Sequence, residues 1–236
     1  MAAVDLPGHG SRADQPFTFS AALHCVEQAL TSLGRPAILV GASQGGYVAA
    51  MAAGTHPELV SGLVLSGVLP RITGWLSAKC RIVAAIDAAA VMLLSRLAPH
   101  LLQRIIACNL TTQTGGLAGD IISSGLRPTA RAECLRALAA ADLRPYLRSY
   151  LGPVLIANGG RDRVAIRQAP HLAALTARAG IATITGAGHL PSVDAPEEFS
   201  AALAAFAHCC QQGQKTRQQG SDASAPAATR GNRSTP

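Results

Sequence analysis

The stretch PAILVGASQGGY, residues 36–47, decides the fold of this 236-residue chain. Ala37 to Val40 form a short apolar run of β type, Gly41-Ala42-Ser43-Gln44-Gly45 fits the pattern G-x-S-x-G, and a helical run begins near Tyr47. In such a strand-turn-helix elbow, glycines relieve crowding where the backbone turns sharply, and the serine oxygen projects above the sheet. Ser43 is therefore the candidate nucleophile. From Pro36 to Pro57 there is no formal charge with His56 neutral, a length that raises the question of a membrane helix. Gly41, Gly45 and Gly46, the polar Ser43 and Gln44, and a proline at each end argue instead for a buried strand, a tight turn and a helix.

Three more β-type runs follow, Gly62 to Val68, Pro153 to Ala157 and Ile181 to Thr185, each ending in Gly-rich or polar residues. Ala2 to Val4 reads as the stub of a fifth. Phe19, Leu23, Val26, Leu30 and Leu33 recur at spacings of three and four ahead of Gly34, the pattern of an amphipathic helix with its stop. Near-continuous apolar strands alternating with helices imply an α/β fold: a mostly parallel sheet covered by helices on both faces. Arg71 to about Arg148 breaks the alternation with helical patterns and no convincing strand, so residues 71–148 read as a helical cap inserted into the domain. Within it, Trp75, Met92 and Leu93 are expected to serve helix packing, or else to line a pocket.

A serine hydroxyl is a weak nucleophile until a base removes its proton, and the base needs an acid to hold its tautomer. The strand PVLIA runs into Asn158-Gly159-Gly160-Arg161-Asp162, and the strand IATIT into Gly186-Ala187-Gly188-His189. Parallel strands bring those loops to one edge of the sheet, as ligand sites in open α/β sheets require. The order Ser43, Asp162, His189 is that of one of the three known triad folds. Plainer readings stand beside it: Asp162 as a helix N-cap or an ion-pair partner of Arg161 or Arg163, and His189 as a turn residue before Pro191. Asp194, after the histidine, is a weaker candidate acid. His9, His24, His56, His100, His171 and His208 lack comparable context and read as surface, turn or packing residues. Gly8-His9-Gly10-Ser11-Arg12-Ala13 matches a loose dinucleotide-binding pattern, but Pro7 interrupts the strand before it and no acidic residue ends the next strand. No cofactor is expected, and no metal, since neither H-E-x-x-H, paired-cysteine nor EF-hand spacing occurs.

With 49% hydrophobic and 14% charged residues the chain can bury one substantial core, so residues 1–210 read as a single domain. Aromatic residues make up only 3%, which leaves little to stack on nucleic-acid bases. The formal charge is +7, but from Gln211 onward four basic residues face one acidic, so three of those charges sit in the tail. That tail, 211–236, is rich in Gln, Ser, Ala, Gly and Pro and reads as disordered. The six cysteines are scattered, two of them adjacent, and no basic leader precedes a long apolar run. Free thiols in the cytoplasm, a small-molecule substrate, and neither nucleic acid nor membrane as partner are the expectations. Oligomeric state is not legible.

The segments DLPGHGSRAD, VGASQGG, HPELVSGLVLSG, ADLRPYL, NGGRD and GAGHLPSVDAPEEF, spread over Val4 to Phe206, together resemble the α/β-hydrolase superfamily. The likeness is to its small cap-bearing branch of esterases, lactonases, haloperoxidase-like enzymes and carbon-carbon bond hydrolases. The resemblance implies Ser43 as nucleophile, His189 as base, Asp162 as its orienter, and the backbone NH of Gln44 as an oxyanion donor. It implies cleavage of a small carboxylic ester, thioester or lactone through an acyl-serine. Cofactor-free haloperoxidase chemistry or carbon-carbon cleavage on the same triad, or an inactive remnant, are the alternatives. Members usually open with two or three strands and a loop supplying the second oxyanion NH. Here the chain starts almost at DLPGHG, so the first strands are expected to be missing, through truncation or a misplaced start.

Overall fold

Four of the apolar runs become parallel strands in the computed structural model, which describes residues 2–114 and 117–223. They are β1 (Ala37–Ala42), β2 (Val60–Ser66), β3 (Val154–Gly159) and β4 (Ala179–Ile184), lying side by side in that order. Each strand starts and stops within two residues of its expected limits, and all four end at the same edge of the sheet. Ala2 to Val4, read as a fifth strand, is instead irregular and exposed. Beyond it, Gly8 and His9 bond within a tight turn and towards the cap, and no strand among the described residues offers Ala2–Val4 a ladder. β1 consequently forms one edge, with Val40 48% exposed.

Both faces of the sheet are covered, which is why the strand sequences are nearly all apolar rather than alternating. On one face Leu63, Leu65, Val154 and Ile156 pack with α1 (Phe19–Leu33), α2 (Gln44–Thr55) and α8 (Arg163–Ala173). On the other, Val64, Ala157 and Ile184 meet Phe199, Leu203 and Phe206 of α10 (Pro196–Ala223). α1 has the predicted limits: Thr18 accepts from the Ala21 NH at its start, and Gly34 closes it at φ +63. α10 runs on to Ala223, through part of the segment whose composition reads as disordered; its Gln, Lys and Ala residues favour helix once the amphipathic start is anchored. Residues 224–236 lie outside the described residues.

Between β2 and β3 the described residues form five helices: α3 (Gly74–Leu97), α4 (Pro99–Thr114), α5 (Ala118–Ser124), α6 (Ala130–Leu138) and α7 (Arg144–Ser149). The chain leaves and re-enters the sheet layer side by side, with Leu143 NH on the Pro70 carbonyl at 2.9 Å and an antiparallel bridge between Arg71 and Asp142. Asp142 takes a bidentate bond from Arg144, 2.6 Å at its shortest. The cap also grips the N-terminal segment. Glu133 of α6 accepts the Phe17 NH at 2.7 Å and the Thr129 hydroxyl at 2.6 Å, and Arg127 reaches the Asp14 carbonyl at 2.8 Å. The expectation that Trp75, Met92 and Leu93 pack inward or line a pocket is corrected, since they are 75%, 67% and 57% exposed. α3 turns its small residues inward, burying Ser77 and Ala84. Among the described residues no helix is long and apolar enough to cross a membrane.

Candidate active site

Ser43 stands between the last residue of β1 and the first of α2 with φ 48° and ψ −122°, the one positive φ at a non-glycine residue among those described. Backbone in that region stores on the order of 1–3 kcal/mol and persists only where its surroundings impose it. Here the Ser43 NH donates to the Ser66 carbonyl at 2.8 Å, continuing the β1–β2 ladder, while its own carbonyl accepts from Gly46 and Tyr47. The turn is tight enough that a Cβ on Gly41 would strike the Gly45 carbonyl, and one on Gly46 the Val68 side chain. Gly45 has open space on that side, so the crowded pair is Gly41 and Gly46 rather than the two glycines of the motif.

Two polar atoms beside the elbow are buried without a hydrogen-bond partner among the described residues: Gln44 Nε2 and Ser66 Oγ. Unpaired buried polar groups cost free energy and are rare in interiors shaped for stability alone. Beneath the elbow Tyr47 is buried, stacks on Phe19, and accepts the Leu69 NH at 3.2 Å. Burial pushes its phenol well above the usual range, so it stays neutral.

Asp162 and His189 meet as the strand order implies. His189 Nδ1 lies 2.6 Å from Asp162 Oδ2, and the other carboxylate oxygen accepts the Ala165 NH at 3.0 Å. Asp162 is thus the N-cap of α8 as well, the plainer of the two readings of it. Its side chain is 13% exposed and that of His189 52%, so the carboxylate is fixed while the imidazole faces solvent. With Nδ1–H donating to the carboxylate, Nε2 is left as the proton acceptor. Asp194, the weaker candidate acid, goes elsewhere: it accepts the Gly188 NH at 2.6 Å and ties down the loop one residue before the histidine.

Gly67 supplies the link back to Ser43. A Cβ there would lie 2.7 Å from His189 Cε1, 3.1 Å from Nδ1 and 3.3 Å from Nε2, so the ring rests against this residue. Gly67 directly follows Ser66, the residue that holds the Ser43 backbone. Sequence reasoning missed it, and the signal available was only a glycine at the end of β2. The two cavities described, about 470 Å³ beside Pro36, Val60, Pro153 and Arg178 and about 500 Å³ beside Arg71, Ser77 and Arg81, are lined by none of Ser43, Asp162 and His189. The dinucleotide-like loop is a 3₁₀ turn (Gly10–Arg12) with Gly10 NH on the Gly125 carbonyl of the cap, not a strand-to-helix phosphate cradle.

Comparison with known proteins bears on this arrangement. The model of the alpha/beta hydrolase family matches residues 2–202. The chain belongs to the alpha/beta hydrolase family. This hydrolase is 31% identical over 208 residues to a pimeloyl-[acyl-carrier protein] methyl ester esterase of Neisseria meningitidis, covering 85% of the chain and 80% of the relative. It is 32% identical over 214 residues to the protein of that name from Xanthomonas axonopodis pv. citri, covering 86% and 82%. Among solved structures, MenH from S. aureus superposes with a TM-score of 0.67 at 24% identity, over 88% of this chain and 82% of that one. The enzyme class and the fold expected from the sequence are those of the family.

Proposed function

We propose that this hydrolase cleaves a carboxylic ester through an acyl-Ser43 intermediate, with His189 as general base and Asp162 as the group that orients it. The observation that carries the reading is the 2.6 Å Asp162–His189 bond whose imidazole rests on Gly67, one residue from the strand end that holds the strained Ser43. In the first half-reaction Ser43 Oγ attacks the ester carbonyl as His189 Nε2 takes its proton. The tetrahedral oxyanion is stabilised by the Gln44 NH, at the start of α2, where no preceding turn of helix offers an acceptor. Collapse expels the alcohol, which takes the proton from His189. Water, deprotonated by the same imidazole, then attacks the acyl-serine, and the carboxylic acid is released as the Ser43 oxygen leaves and takes that proton back from His189.

The named relatives, methyl ester esterases acting on a pimeloyl group held on acyl-carrier protein, support an ester rather than a thioester or lactone. The test is labelling by a fluorophosphonate probe, with the modified peptide located by mass spectrometry beside a thermal melt. Specific labelling at Ser43, lost in Ser43→Ala, is expected. Equal labelling of both proteins sinks the assignment, and absence of labelling in a cooperatively melting protein turns the reading to an inactive member.

A further inference from the structure

We infer that Asn158 is a positioning residue for the His189–Asp162 pair, an inference that rests on the reading of those two as base and orienter. Asn158 lies near the end of β3 and is 1% exposed. Its Oδ1 accepts the Gly67 NH at 2.9 Å, and its Nδ2 donates to the Ala165 carbonyl at 3.2 Å. These are the two residues on which the pair depends. Gly67 is the seat of the imidazole, and Ala165 holds the free oxygen of the Asp162 carboxylate through its NH. One buried carboxamide therefore ties the surface under the base to the helix turn under the acid, across 91 residues of sequence on one side and 7 on the other.

The chemistry of the two partners dictates the residue. An amide NH can only donate and a carbonyl only accept, so the bridging group must offer an acceptor and a donor on one planar head. Aspartate would meet the Ala165 carbonyl with a second acceptor, and leucine, of the same shape, would leave both partners unpaired in a dry interior. Neither position can drift while the bridge stands. Gly67 at φ +62 is a left-handed turn that could otherwise relax, and Ala165 sits in the first turn of α8, where helices fray.

The test compares wild type with Asn158→Leu on a short-chain aryl ester, with proton NMR of the hydrogen shared by His189 and Asp162. A misplacement of the order of 1 Å at a reacting group costs about 100-fold. The expected result is a kcat lower by about 10- to 100-fold with KM within about twofold, and loss or upfield movement of the far-downfield resonance. Leu30→Ala, in the core of α1 away from the site, is the stability control: it lowers the melting temperature but keeps kcat and the resonance. Asn158→Asp retains the Gly67 bond alone and is expected to fall between wild type and leucine; should Asn158→Leu not fold, this variant carries the test. An Asn158 variant with kcat within about threefold of wild type and an unmoved resonance overturns the inference. Activity retained in Ser43→Ala would instead overturn the reading beneath it, and the resonance reports on the pair without turnover.

Discussion

Replacing Gly67 with alanine places one methyl group against the imidazole. The added Cβ would sit 2.7 Å from His189 Cε1, whereas carbon atoms settle at about 3.7 Å, so the ring must retreat by about 1 Å. His189 is half exposed and free to swing outward, so the retreat is cheap in stability. It is expensive in alignment, because a 2.6 Å bond to Asp162 lengthened by such a movement passes the limit of a useful hydrogen bond. A loss of about 100-fold in kcat is expected, with KM little changed. The backbone adds its own cost: φ is +62 here, which penalises alanine by roughly 1–2 kcal/mol. At about 2–4 °C per kcal/mol for a domain of this size, the melting temperature falls by about 2–8 °C. Steady-state kinetics on a short-chain nitrophenyl ester, read beside the melt, separate the two effects. A variant that melts lower as calculated but keeps kcat within about threefold refutes the contact between Gly67 and the base.

Asp162→Asn keeps a good N-cap for α8, so its melting temperature is expected within about 2 °C of wild type, while loss of the imidazole's orienter lowers kcat by about 10⁴-fold. A loss below tenfold would argue that His189 is held by other contacts. At the cap stem, hydrogen bonding from Arg144 holds the Asp142 carboxyl down at about 2, against an ordinary value of 3.8. A folded value below the unfolded one contributes stability that is complete above about 3.8 and is lost as pH falls towards 2. Melting temperatures across that window should therefore slope more steeply for wild type than for Asp142→Asn. Salt should reduce the difference, since the pair is partly exposed.

The elbow was legible because strand, turn and helix are written in consecutive residues, and Ser43 carries the strain that the motif predicts. Asp162 and His189 were legible because each closes a strand, and parallel pairing delivers both strand ends to one edge. The supports of the site were not. Gly67 and Asn158 meet over a distance in sequence that no local pattern records, and Asp194 was weighed as an acid although its partner is a backbone NH. Ala2–Val4 misled for a physical reason: three small apolar residues suffice for β propensity, but a strand exists only where a neighbour takes its hydrogen bonds. Gln211–Ala223 misled in the opposite sense, because helix propagates from an anchored start at little cost per residue.

Asp162 serves α8 with one oxygen and His189 with the other, and this narrows what the position can become. At most helix starts serine, threonine, asparagine and aspartate are near-equivalent, so drift among them is almost free. Here only aspartate offers both a cap and a charge to a second client, so with Asp162 in the proposed role a substitution harmless to folding would silence the enzyme while leaving its abundance untouched. Loss of function at this residue would be invisible to expression, solubility or melting screens, and would be found only by measuring turnover.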